Sequence, residues 1–224
     1  MFKYYTRSVK SIKVYKPVHI ARRHNACDVI DDIHKVRQTE QLLRFLPVLG
    51  KRKNLKALVL DSSYRRTSKA LLNESFHAKN IDLVEIKPNV AQEHRTTEHN
   101  VFEMQVCEHI NNTDKQYDIM YLDTENSSSS ALYLLHQTLE NNILANKSIL
   151  FLNFCSRGKH TLKCKELLNH GKKKQGLNME DFWYHADRFL KDSSYKITKL
   201  YDGNYQRNPR GGNMRYFAIM LEKN

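Results

Sequence analysis

Apolar and polar positions alternate between two kinds of run along this chain. Short, almost continuous apolar runs occur at Lys56–Asp61 (KALVLD), Ile81–Ile86 (IDLVEI), Tyr117–Asp123 (YDIMYLD) and Ser148–Asn153 (SILFLN). Runs of this length and texture predict strands covered on both faces, as in a parallel sheet. Between them apolar residues return at helical spacing. Val29, Ile30, Ile33, Val36, Leu42, Leu43 and Leu46 predict a helix over Asp28–Leu46 that packs on the front of the sheet. Asp28, Asp31 and Asp32 sit near its start, where the helix dipole favours acids, and Pro47 and Gly50 end it. Further helices are predicted from Thr67 through Phe76 and over Ala131–Leu144, the latter with Ser127–Ser130 as caps. His94–Asn112 fits either a helix or a short third strand.

After Asn153 the texture changes. His160–Leu168 and Met179–Leu190 read as helices, the second with Phe182, Trp183, Ala186 and Phe189 at suitable spacing. Tyr195–Tyr201 and Arg215–Leu221 read as an antiparallel hairpin with a long tip. The order predicts an α/β, Rossmann-like fold: a mostly parallel sheet with helices on both faces, closed by a C-terminal antiparallel β-hairpin. Three parts follow: a basic N-terminal arm over 1–27, an N-terminal helix over 28–50 and an α/β domain over 51–224.

Charge adds a partner to this picture. Among the 224 residues, 37 Lys+Arg against 24 Asp+Glu leave a formal +13. An excess of this size points to a polyanion, most often nucleic acid. More than half of it lies in Met1–His24, where Lys3, Arg7, Lys10, Lys13, Lys16, Arg22 and Arg23 meet no acid. That arm is either a nucleic-acid-binding segment or a solvated tail. The four cysteines form no CxxC pair, which fits an intracellular, reducing compartment, the cytoplasm first. No apolar run reaches the roughly 18 residues of a membrane span.

The chemistry-bearing residues cluster at predicted strand ends. Asp61, Glu85 and Asp123 each stand at or near the end of a strand, and ligands in open α/β sheets sit outside those ends. Yet no glycine occurs between Gly50 and Gly158, so the first turn, Asp61–Arg66 (DSSYRR), lacks the usual glycine-rich phosphate or cofactor loop. The same acids would otherwise cap the helices that follow. Arg65, Arg66, Arg157 and Lys159 fall in loops after strand ends, where a basic rim would suit a phosphate backbone. Lys172, Lys173, Lys174, Arg207 and Arg210 would extend it, with Tyr201 and Tyr205 available for stacking. His94, His99, Cys107 and His109 match no zinc spacing, and no metal is expected. Neither a P-loop nor a Gly-x-Ser-x-Gly elbow is present.

Parallel β/α units finished by a β-hairpin resemble the class I S-adenosylmethionine-dependent methyltransferases, over roughly Leu55–Glu222. The resemblance places cofactor-binding residues at Asp61, Ser62 and Ser63 after the first strand, at Glu85 beside the ribose hydroxyls, and at Asp123 and Thr124 after the fourth strand. Asp123 is also its candidate catalytic residue. The family's acid-x-Gly-x-Gly motif is replaced here by Asp61-Ser-Ser, and the Pro-Pro-aromatic signature of base amino-group methyltransferases is absent. The resemblance implies S-adenosylmethionine as cofactor and methyl transfer to nucleic acid, RNA before DNA. The alternative is a catalytically silent domain of the same fold, serving as a structural or nucleic-acid-binding part of a ribonucleoprotein or other assembly. A methyltransferase for protein or a small molecule also stays open.

Overall fold

The computed structural model describes residues 26–61, 64–155, 179–206 and 213–224, with side chains from residue 33 onward except 125, 126, 179 and 206. The basic arm up to residue 25, the helix expected over 160–168 and the hairpin tip over 207–212 lie outside the described residues, whereas Ala26 and Cys27, expected in the arm, already belong to the first helix. Helix α1 (Ala26–Phe45) leads into β1 (Ala57–Leu60), α2 (Arg66–Asn73), β2 (Ile81–Val84), α3 (Pro88–His94), β3 (Asn100–Phe102), α4 (Val106–Asn112) and β4 (Tyr117–Ser127). Then come α5 (Ser128–Glu140), β5 (Leu144–Cys155), α6 (Met179–Asp192), β6 (Tyr195–Gln206) and β7 (Asn213–Lys223). The ambiguous 94–112 stretch thus holds a strand between two short helices.

The seven strands form one sheet in the order β3-β2-β1-β4-β5-β7-β6. All neighbours are parallel except β7, which runs antiparallel to β5 and β6. The chain moves outward from β1 to β2 and β3, then returns to the other side of β1 with β4. In open α/β sheets ligands lie outside the carboxyl edge at such a reversal, which here falls between β1 and β4. Each face carries its own apolar cluster. Ala57, Val59, Ile81, Leu83, Ile119, Tyr121 and Phe151 meet Leu42 of α1, Leu46 of the short turn after it and Leu71 of α2. Leu58, Met120, Leu122, Leu150 and Leu152 meet Ile110 of α4, Leu132 and Leu135 of α5, and Phe182 and Ala186 of α6. Both faces are covered, which is why β1 and β5 lack polar alternation.

The hairpin is fitted to the sheet by aromatic stacking. Tyr121, Phe151, Tyr216 and Tyr201 stack in succession, with ring centroids 4.9, 6.2 and 5.4 Å apart. Gly203 lies opposite Tyr216, and a Cβ there would come within 2.5 Å of the ring, so only glycine admits this stack. Tyr205 is buried and stacks on His34 of α1 at 4.2 Å. It is therefore part of the core and not an open platform for bases. β6 is the outer edge strand, with Lys196 and Lys199 in its first half and a bulge between Lys199 and Tyr201.

At the amino edge a buried polar network joins three strands' worth of chain. Asp82 accepts from Tyr117 Oη at 2.6 Å, Asn100 Nδ2 at 2.7 Å and Lys115 Nζ at 2.8 and 2.9 Å. His109 Nε2 lies 2.8 Å from the same tyrosine hydroxyl. Burial first, and Lys115 third, hold the His109 imidazole below its ordinary 6.5, with Asp82 opposing. Burial does the same to His99 and His136. A histidine whose folded pKa is lowered takes up its proton first in the unfolded chain. Stability is then complete above 6.5 and is lost as pH falls below it. The urea midpoint is expected to fall between pH 7.5 and pH 5.5, and to fall less in His109→Gln; a midpoint equally pH-dependent in both would show that His109 is not the source.

Candidate functional site

The three acids are brought into line by strand register. Val59 pairs with Leu83 and Leu60 with Leu122, so continuing the register by two residues and by one sets Asp61 between Glu85 and Asp123 at the carboxyl edge. Each lies two residues beyond an α1-side core residue (Val59, Leu83 and Tyr121), so all three belong to the same face of the sheet. The register therefore assembles the row that the sequence suggests.

Their side chains differ in what they hold. Asp61 is buried, and its Oδ2 accepts from the Ser68 amide and hydroxyl, both at 2.8 Å, at the start of α2. Burial raises its pKa, and the Ser68 and Thr67 hydrogen bonds and His94 only partly offset that rise. His94 Nε2 sits 3.3 Å from the Asp61 carbonyl, bracing the same residue from α3. Asp61 thus fastens the first turn to two helices. The turn itself is made without glycine: Arg65 takes the left-handed conformation (φ 53°), and the Arg66 guanidinium lies 5.3 Å over the exposed Tyr64 ring. Ser62 and Ser63 lie outside the described residues.

Glu85 is half-buried and accepts from the Lys87 amide at 2.8 Å through Oε1. Its own amide continues the ladder to the Phe102 carbonyl, which fixes its position at the end of β2. Asp123 is held from two sides, by Lys35 Nζ of α1 at 3.0 Å and Asn153 Nδ2 of β5 at 2.7 Å. The Thr124 hydroxyl is buried and donates to the Asn153 carbonyl at 2.9 Å. Ser127 ends β4 and its Oγ accepts from the Ser130 amide as the cap of α5.

Lys35 was hidden in the sequence by the choice of helical face. Ile33 and Val36 stand 49% and 41% exposed, whereas Lys35, Gln38 and Thr39 share the inward stripe with Leu42 and Leu46. Gln38 accepts from the Tyr121 hydroxyl at 3.2 Å, and Thr39 meets Thr67 at 3.3 Å. Polar residues at positions 35, 38 and 39, continuing the spacing of two buried leucines, are the signal that a helix end abuts something other than core.

Of the basic rim, Arg65 and Arg66 stand half-buried at the carboxyl edge, beside the row of acids. Arg22, Arg23, Arg157, Lys159, Lys172, Lys173, Lys174, Arg207 and Arg210 lie outside the described residues. His99 Nδ1 lies 3.4 Å from the Ala78 carbonyl, so the histidines of the His94–His109 stretch are engaged with separate partners. Cys107 and Cys155 are free thiols. No helix among the described residues is long and apolar enough to cross a membrane.

No protein-family model and no curated protein sequence matches this chain. Solved structures do. A putative methylase from Haemophilus influenzae aligns over 83% of this chain and 88% of its own, with TM-score 0.54 and 13% identity. The plantazolicin methyltransferase BamL, solved with a substrate analogue and SAH, aligns over 88% and 90%, with TM-score 0.55 and 8% identity. P. horikoshii TYW2, solved with MeSAdo, aligns over 84% of this chain and 61% of its own, with TM-score 0.52 and 10% identity. Strand order, the single antiparallel strand and these alignments agree: the chain has the fold of the class I S-adenosylmethionine-dependent methyltransferases.

Proposed function

We propose that this protein binds S-adenosylmethionine at the carboxyl edge of β1, β2 and β4 and transfers its methyl group to nucleic acid, RNA before DNA. The observation that carries the reading is the in-register row Glu85, Asp61, Asp123 beside the strand-order reversal. The cofactor supplies an activated methyl on a sulfonium. The residues present fit it unevenly. Glu85 fits best, with a half-exposed carboxylate that can accept from ribose hydroxyls. Asp61 acts at one remove by fixing the turn to α2, where Ser62 and Ser63 would offer backbone amides. Thr124 likewise orders the end of β4 through Asn153.

Asp123 is the residue placed to take a proton from, or orient, the accepting group. Methyl transfer gains most from alignment, so holding donor and acceptor in line is the main task of this edge. Arg65 and Arg66 would position a phosphate backbone, joined by the cations of the N-terminal arm. A thermal-shift or calorimetric titration with S-adenosylmethionine tests the cofactor. Filter binding to a single-stranded RNA across a salt series tests the substrate, and affinity falling steeply with salt is expected. Full stability with no cofactor binding would overturn the enzyme.

A second reading, a silent domain in a larger assembly, is favoured by one feature. The carboxylates of Asp61 and Asp123 already have protein partners, and two cavities of about 470 and 50 Å³ lie at the opposite edge, lined by residues such as His136 and Arg188, and Lys56 and Lys115. RNA binding without cofactor binding would select this reading.

A further inference from the structure

The inward stripe of α1 changes chemistry halfway along. From Leu42 onward it is apolar: Leu42 and Leu46 are fully buried in the cluster with Ala57, Val59 and Ile119. Before Leu42, no apolar side chain among its described residues is buried, and the contacts include Lys35 to Asp123, Gln38 to Tyr121, Thr39 to Thr67 and the His34–Tyr205 stack. These contacts lie along the carboxyl edge, over the ends of β4 and β6 and the start of α2. Lifting this half would bare the rings of Tyr121 and Tyr205, which belong to the same cluster as Leu42 and Leu46, but its ion pair and long hydroxyl contacts exchange readily for water, so it is held less firmly than the apolar half.

Two buried atoms mark the closed arrangement as one of a pair. Gln38 Nε2 and Asn153 Oδ1 are buried without a hydrogen-bond partner, and both residues belong to this seam. Buried polar groups are almost always paired, so each orphan penalises the seated helix, and water would satisfy both if it lifted. The outer face, with Ile33 and Val36 exposed, does nothing to hold the helix down.

We infer that the N-terminal half of α1 is a lid hinged near Leu42 and latched by Lys35 on Asp123, which withholds that carboxylate until the lid lifts. Lys35 is then a positioning residue. Its effect on catalysis rests on the methyltransferase reading; the hinge does not.

Hydrogen exchange of the full-length protein, read by mass spectrometry, tests the lid without cofactor or substrate. In Lys35→Met and in Asp123→Asn, amides of residues 33–41 should exchange about tenfold faster than in wild type, while those of 42–46 keep their rate. The double variant should be no faster than either single one, because both remove the same contact. Should a variant misfold, wild-type protein moved to roughly 1 M salt should show the same split, because the latch is partly solvated and is screened. Unchanged exchange at 33–41, or equal acceleration through residue 46, would overturn the hinge. Split exchange in a protein that binds no S-adenosylmethionine would keep the lid and remove only its role in methyl transfer.

Discussion

Replacing Glu85 with alanine is expected to weaken S-adenosylmethionine binding by about 10- to 100-fold. The reason lies in position and in what the side chain lacks. Glu85 follows β2 in register with Asp61, at the edge where the cofactor would lie, and it is partly exposed to solvent. Its recorded contact within the chain is the Lys87 amide two residues on. A hydrogen bond to a charged group contributes about 1.5–3 kcal/mol, so losing a carboxylate that holds two ribose hydroxyls accounts for the range. Folding should hardly notice: a half-exposed residue with one local contact changes stability by about 0.5 kcal/mol or less. Calorimetry on Glu85→Ala and Glu85→Gln, with a melting curve as control, separates the two quantities. Wild-type affinity in both variants would place the ribose contact elsewhere.

Asp82→Ala should have the largest effect on stability, about 3 kcal/mol, lowering the melting temperature by roughly 6–12 °C. Asp82 is buried and gathers a tyrosine hydroxyl, an amide and an ammonium around one carboxylate. Its loss leaves those donors around a cavity. Lys115 is 42% exposed and can turn to water, which keeps the cost at the lower end for a buried pair. Tyr117→Phe removes one donor but leaves Asp82 its Asn100 and Lys115 partners, so it should cost less, about 1 kcal/mol. Thermal melts of the two variants check the order; equal losses would mean that the hydroxyl, not the carboxylate, organises the network. Cofactor affinity should be unchanged in both, because the network lies at the opposite edge of the sheet.

The sheet was legible because β1, β2, β4 and β5 are covered on both faces, which leaves short, almost continuous apolar runs between helical stretches. β3 was not, being three residues long and only half-buried. The row of acids was legible too, since a parallel sheet aligns strand ends whose runs have similar lengths. Their partners were not. Ser68 reaches Asp61 only after α2 turns back over β1, and Lys35 reaches Asp123 across 88 residues of chain. The inward face of α1 was misread for a related reason: Ile33 and Val36 fit the apolar period, but the helix end they belong to meets a polar seam instead of core.

The outermost strand also limits how this molecule can join others. A neighbouring chain that tried to extend the sheet along β6 would meet the ammonium groups of Lys196 and Lys199, then lose step at the bulge after the fifth residue. Growth by strand addition is blocked on that flank. A larger particle built from this protein would be joined through its helices, its loops or the three-residue β3 on the opposite flank.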